Sequence, residues 1–285
     1  MVCAAMSPLA QTASSTDPVL QRAADYVRQY QAALASVVAT EEYSQQLAER
    51  YPPDPRVPRT RLLKSEVFFL YIEGYDWMTV RDVRTVDGTE LPARRSVQDY
   101  LTEYAPRELA LQFKQDNSRF NLGRTFRNFN EPTLALLVLD DRYRSRFMFE
   151  RKDTRQTSGV AVTTFAFEET AEPTLIRDSS GGFVFASGEL VVESATGRVV
   201  NTVLKVEPDG VRMTLSTDYV YDERLDMLVP SRFREHYVNG VRPADPRPVP
   251  GARQAQRQLR SFYEELVCEA TYSNFQRFEV RTRFK

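Results

Sequence analysis

A single histidine, two cysteines and the adjacent acids Glu41-Glu42 and Asp140-Asp141 are the residues whose types most constrain what chemistry this chain can do. His236 stands in Arg234-Glu235-His236-Tyr237, so no multi-histidine metal site exists within one chain. A histidine-dependent triad would have to run through it, with Asp218 or Asp222 of the preceding predicted strand as orienting acid across a hairpin. No Gly-x-Ser-x-Gly elbow accompanies it, and Ser231 follows Val229-Pro230 without that turn's glycines. A surface or cross-strand histidine is the expected role, and a hydrolase using His236 the lesser alternative. Cys3 and Cys268 cannot form a zinc cluster by themselves. Cys268, flanked by Leu266, Val267 and Ala270, is expected to be a buried, inert thiol.

Of the paired acids, Glu41 and Glu42 fall on a predicted strand, where neighbours point to opposite faces and cannot serve one cleft as a glycosidase pair. Asp140-Asp141 follows a short predicted helix and reads as a solvated exit. Glu41 shares a face with Ala39 and Tyr43 and is expected to pair with Arg81 or Arg84; Glu41 and Arg81 are the polar-contact candidates. No phosphate-binding loop or EF-hand spacing occurs, and no metal or cofactor is implied.

The elements that must position these residues follow from periodicity. Over 285 residues, 42% hydrophobic and 27% charged are globular values that exclude wholesale disorder. The 38 basic residues nearly cancel the 39 acidic ones, which argues against nucleic-acid binding through bulk positive charge. Residues 1–16 carry no charge before Asp17, are rich in Ala, Ser and Thr, and end in small residues like a signal-peptidase site near Ala10 or Ala13. They are expected to be a partial signal peptide or flexible leader, making the protein exported, periplasmic or secreted. Nothing later approaches the ~18 apolar residues of a bilayer span, so no transmembrane segment is predicted.

Asp17-Pro18 opens a predicted helix whose Leu20, Ala23, Val27, Tyr30 and Leu34 form one apolar stripe. Alternation then predicts strands from Ser36, over Val67–Ile72 and over Trp77–Val86. Residues 96–122 and 133–139 carry helical patterns, grouped as a helical insertion over 96–140. Beyond Ser145 the reading is strand to the end, clearest where Val211, Met213, Leu215, Thr217, Tyr219 and Tyr221 alternate with polar neighbours. The fold class is mainly β (α+β): a curved antiparallel sheet or unclosed β-barrel, with the N-terminal helix and helical insertion covering its concave face. Residues 17–285 form one domain, and the Pro/Arg-rich stretch 242–260 is expected to be a mobile loop between the last two strands.

That order of elements resembles the LolA/LolB-like outer-membrane lipoprotein carriers. It resembles more specifically a group of exported, uncharacterised bacterial proteins of acidobacterial type. The matching stretches are Ser36-Val-Val-Ala-Thr-Glu-Glu-Tyr43, Trp77-Met-Thr-Val-Arg-Asp-Val83, Ser118-Arg-Phe-Asn-Leu-Gly123, Pro132-Thr-Leu-Ala-Leu-Leu137, Ala195-Thr-Gly-Arg-Val-Val200 and Ala270-Thr-Tyr-Ser-Asn-Phe275. The resemblance implies an unclosed barrel and a non-catalytic binding protein of the cell envelope that carries a lipid, an acyl chain or another apolar ligand. It also admits an envelope protein partner. Such a carrier needs an apolar cavity, for which Phe68, Leu70, Met78, Val80, Met213, Leu215, Met227, Val229 and Phe233 are the candidates. The alternative is a structural or interaction domain in which these same side chains fill the core.

Overall fold

The computed structural model describes residues 11–13, 17–50, 57–72, 76–92, 95–125, 127, 130–240 and 263–278. Helix α1 (Pro18–Leu34) begins where the sequence places it: Asp17 accepts the backbone N–H groups of Val19 and Leu20, and Pro18 takes the first helical position. Strands β1 (Gln11–Ala13), β2 (Val37–Arg50), β3 (Arg59–Ile72), β4 (Asp76–Val86) and β5 (Thr89–Glu90) come before the insertion. The insertion contains α2 (Val97–Leu101), α3 (Pro106–Asn117) and a 3-10 segment, Leu134–Leu139. Then follow β6 (Phe147–Thr157), β7 (Val160–Glu169), β8 (Ile176–Arg177), β9 (Phe183–Val184) and β10 (Ser187–Glu193). The chain ends in β11 (Val199–Val206), β12 (Val211–Asp222), β13 (Met227–Gly240) and β14 (Tyr263–Arg277). Residues 11–13, within the expected leader, pair with β6.

Twelve strands form one antiparallel sheet in the order β1-β6-β7-β10-β11-β12-β13-β14-β2-β3-β4-β5, and its two ends do not pair. The sheet is therefore open, not a closed barrel. Its curvature follows from what α1 touches. That helix contacts β10, β13 and β3. In a flat sheet β10 and β3 would lie six strand spacings apart, nearly 30 Å at ~4.8 Å each. A helix of ~10–12 Å diameter bridges them only if the sheet wraps around it. Register shifts between Val191 and Val192, Asp218 and Tyr219, and Ser273 and Gln276 supply local bends.

The concave face and α1 share one core. Leu20, Val27 and Leu34 are fully buried against it, as are Phe69, Phe165, Leu190, Phe233 and Tyr237. All but one residue of the 3-10 segment are buried in this core too, in contact with α1 and β11. The insertion divides between the two faces. On β3, Val67 and Phe69 face inward, while Phe68 and Leu70 point outward and pack with Val80 of β4, Val97 and Leu101 of α2, and Leu109, Ala110 and Phe113 of α3. The physical reason is the run of four apolar residues at 67–70, which makes both faces of β3 apolar and gives α2 and α3 a convex surface to cover.

The sequence-based element bounds mostly agree with these, although the helical pattern over 96–122 divides into α2 and α3 and that over 133–139 is a 3-10 segment. Strand β3 starts at Arg59, eight residues before the expected Val67, because exposed Leu62 beside buried Leu63 blurs the alternation. The stretch 242–260 lies outside the described residues. Its flanking strands β13 and β14 pair antiparallel, Gly240 opposite Tyr263.

Candidate functional site

The expected apolar lining residues separate by face. Phe68, Leu70, Met78 and Val80 belong to the convex cluster under α2 and α3. Met213, Leu215, Met227, Val229 and Phe233 belong to the concave core with α1. The five concave residues are between 1% and 6% exposed, so the face that would receive an apolar ligand is occupied by the protein's own side chains.

His236 points to the solvent face, and its Nε2 lies 2.9 Å from Glu265 of β14. Register pairs His236 with Thr214, and Asp218 instead meets Arg234 at 3.0 Å. Ser231 donates to the carbonyl of Asp218. The residues that a His236 hydrolase would need are thus held by other partners. Asp140 corrects the solvated-exit reading: it is buried, accepts from Gln31 of α1 at 2.6 Å, and binds Arg142. Asp141 is exposed and pairs with Arg28.

A polar network, of which the sequence analysis named only Glu41, Tyr43 and Arg81, lies beneath the inward face of β2, β13 and β14. Glu41, Tyr43 and Gln45 alternate inward on β2, as Phe233, Glu235 and Tyr237 do on β13. Glu41 holds Arg81 of β4 at 2.9 Å, and Arg81 also donates to the Thr79 hydroxyl and the Asn130 carbonyl. The second cation is Arg127, only 5% exposed. It donates to the Tyr43 hydroxyl at 3.0 Å, to Gln45 Oε1 at 2.8 Å and to Cys268 Sγ at 3.2 Å. Tyr43 passes the interaction on by donating to Glu235 at 2.8 Å, and Tyr237 donates to the other oxygen of Glu235. A third carboxylate, Glu264, accepts the backbone N–H groups of Arg124 and Thr125. The signal for Gln45 and Glu235 was present in the sequence as a polar residue flanked at i±2 by inward apolar ones, Tyr43 and Leu47 for the first and Phe233 and Tyr237 for the second. Arg127 had no such signal, because it lies on no regular element.

Burial pushes the Cys268 thiol up to about 12, helped by the nearby Glu235 and opposed by Arg127. It likewise drives the Glu131 carboxyl up, against the opposing charges of Lys114 and Arg81.

Beside this network is a cavity of about 330 Å³ between α3, the chain that follows it and β4. Arg81, Lys114, Arg127, Asn130 and Glu131 line it, and Leu111 stands at its wall. Asn117 at the end of α3 donates to the Arg81 carbonyl at 2.7 Å, tying the helix to β4.

The fold defines an open antiparallel sheet wrapped around α1 and the 3-10 segment, with a cavity beside β4 whose lining includes Arg81, Lys114, Arg127 and Glu131. Among solved structures, the chain is similar to a candidate outer-membrane lipoprotein-sorting protein domain from Vibrio parahaemolyticus (10% identity, 90% of this chain and 93% of that one, TM-score 0.36). It is also similar to a DUF1329 family protein from Desulfovibrio piger (12% identity, 92% and 94%, TM-score 0.36). A third likeness is to a LolA superfamily protein from Nitrosomonas europaea (9% identity, 94% and 96%, TM-score 0.31). Likenesses this distant do not assign a family or a role. No protein-family model and no curated protein matches the sequence. No helix among the described residues is long and apolar enough to cross a membrane.

Proposed function

We propose that the protein is an exported, non-catalytic binding protein of the cell envelope, one domain from residue 17 onward, whose concave face takes up a lipid or other apolar ligand. The observation that carries this reading is that an apolar concave face of an open sheet is covered by α1, whose polar ties are few. Among the described residues those ties are Asp17 to Arg151, Arg22 to the Ser194 carbonyl, Gln31 to Asp140, Arg144 to Gln21, Arg277 to the Ala33 carbonyl, and Arg28 to Asp141, four of the six on exposed side chains. Magnitudes make an exchange feasible. Val19, Leu20, Val27 and Leu34 hold α1 with roughly 1.5–3 kcal/mol each, about 6–12 kcal/mol together. An acyl chain burying about fourteen CH₂ groups at ~0.8 kcal/mol each recovers about 11 kcal/mol. Tyr30, Ala23 and Ala24 are buried on the same face of α1, so a ligand of that length offsets a large part of the cost of displacing the helix and not all of it.

The filled core favours a second reading, an interaction domain acting through its surface with an envelope partner. Native mass spectrometry of protein purified from its own host, together with uptake of a dansyl-labelled fatty acid, separates the two. Co-purified lipid and saturable uptake support the carrier. A ligand-free mass with no uptake overturns it in favour of the interaction domain.

A further inference from the structure

We propose, resting on the carrier reading above, that the ligand of the concave face is a single-ring lipid of the prenylated quinone class, one planar six-membered ring on an aliphatic tail. The side chains that α1 buries against the sheet are the pattern such a ligand has to copy.

Along that helix Leu20, Ala23, Val27 and Leu34 are aliphatic, and Tyr30 is the one aromatic ring among the side chains it buries. The Tyr30 ring lies in aromatic company. It is 6.0 Å from the Trp77 ring of β4, tilted by 54°, and 6.3 Å from the Tyr219 ring of β12, edge to face at 86°. At such distances ring pairs attract beyond the area they bury. A third neighbour, Tyr26, stacks on Tyr30 at 5.4 Å and belongs to α1, so it departs with the helix.

The two sheet rings are held by groups other than α1. Tyr219 donates its hydroxyl to the Pro132 carbonyl at 2.8 Å. Trp77 packs edge to face on Tyr71 of β3 at 5.5 Å, and the Tyr71 hydroxyl accepts from Arg142 at 3.0 Å. The Tyr30 hydroxyl has no hydrogen-bond partner among the described residues, so its withdrawal breaks no such bond. A displaced α1 therefore leaves a place for one ring, with two rings fixed beside it and aliphatic side chains along the rest of the core. An unbranched acyl chain covers the aliphatic part and forgoes the ring contacts. A single ring on a tail fits both, whereas a fused polycycle is wider than the place that Tyr30 vacates. Indole and phenol rings carry negative charge on their faces, which favours an electron-poor partner, and a quinone is one.

The test is displacement of radiolabelled palmitate from the full chain by decylubiquinone and by undecanol, neutral competitors with tails of matched length. Decylubiquinone is expected to compete at about tenfold lower concentration, the worth of two ring contacts. Saturable quenching of Trp77, the single tryptophan of the chain, reads its binding directly. Trp77→Leu and Tyr219→Leu should each shrink the preference while palmitate still binds. Tyr30→Leu leaves the sheet untouched and removes the ring that competes for the place. It should strengthen decylubiquinone several-fold more than undecanol, which keeps the test open even if neither sheet variant folds. If palmitate binds and decylubiquinone competes no better than undecanol, the ring assignment is overturned and the carrier reading stands. If neither palmitate nor decylubiquinone binds, both fall. A preference that survives Trp77→Leu and Tyr219→Leu intact, or a Tyr30→Leu variant that shifts both competitors equally, puts the ring elsewhere and overturns the assignment as well.

Discussion

Asp17 and Arg151 are joined at 2.8 Å across 134 residues of chain, by the same carboxylate that caps α1. One side chain therefore starts the helix and fastens it to β6. Burial alone would raise this carboxyl. The hydrogen bonds from Arg151, Val19 and Leu20 and the charge of Arg151 outweigh burial and hold it below the usual range. A depressed carboxyl stabilises the fold above its unfolded value near 3.8, and that contribution disappears as pH falls through the lower folded value. Asp17→Ala should cost about 1–2 kcal/mol at pH 7 from the lost cap alone. The gap between wild type and variant should close in strong acid, as read by urea unfolding at both pH values. A gap of constant size would show that the carboxylate charge does not matter.

Gly197 sits at a φ of 77° beneath α1, where an added Cβ would lie 2.4 Å from the backbone carbonyl of Arg22. Gly197→Ala must therefore accept a left-handed backbone, about 1–2 kcal/mol, and also push the helix off its seat. A loss of roughly 2–4 kcal/mol is expected, lowering the melting temperature by several degrees. Calorimetry checks it, and an unchanged midpoint would mean that α1 is not seated on the 194–197 turn.

Tyr43 stands between two buried charges, Arg127 and Glu235. Removing its hydroxyl in Tyr43→Phe leaves each one partner short and should cost about 1–3 kcal/mol. Glu235→Leu leaves the Arg127 charge buried without its counter-charge and should cost more, about 3–5 kcal/mol. Denaturant midpoints give the order. If Glu235→Leu proved the milder change, the charge of Arg127 would have to be balanced elsewhere.

Cys268 is fully buried, with its thiol pushed up to about 12, so it should be inert in the folded state at pH 8. In a Cys3→Ser variant the remaining thiol should react with a disulfide reagent only as the chain unfolds in urea, in step with the loss of circular dichroism. Rapid labelling of native protein would contradict the burial of β14.

Much of the architecture was legible from local pattern. The Asp17-Pro18 start, the stripe from Leu20 to Leu34 and the alternation over 211–222 each state which residues are covered, because helix and strand repeat with fixed periods. Less legible was where the coverings go. The run Val67-Phe-Phe-Leu70 is apolar on both faces, and only the tertiary arrangement assigns Phe69 to the core with α1 and Phe68 to the cluster with α3.

By itself the sequence determined the elements, their antiparallel order and the inward position of Glu41 on β2, since each depends on neighbours within a few residues. Only the tertiary structure decided that Arg81 is the partner of Glu41, and that Arg127 reaches Tyr43, Gln45 and Cys268 from an irregular segment. It also decided which charged side chains line the cavity by α3 and that the concave face is filled. Those outcomes depend on how far an open sheet curls and on which segments fold over its faces. Contacts between residues 40 to 192 positions apart set the partners of Arg81, Arg127 and Glu235, and no local period encodes such distances.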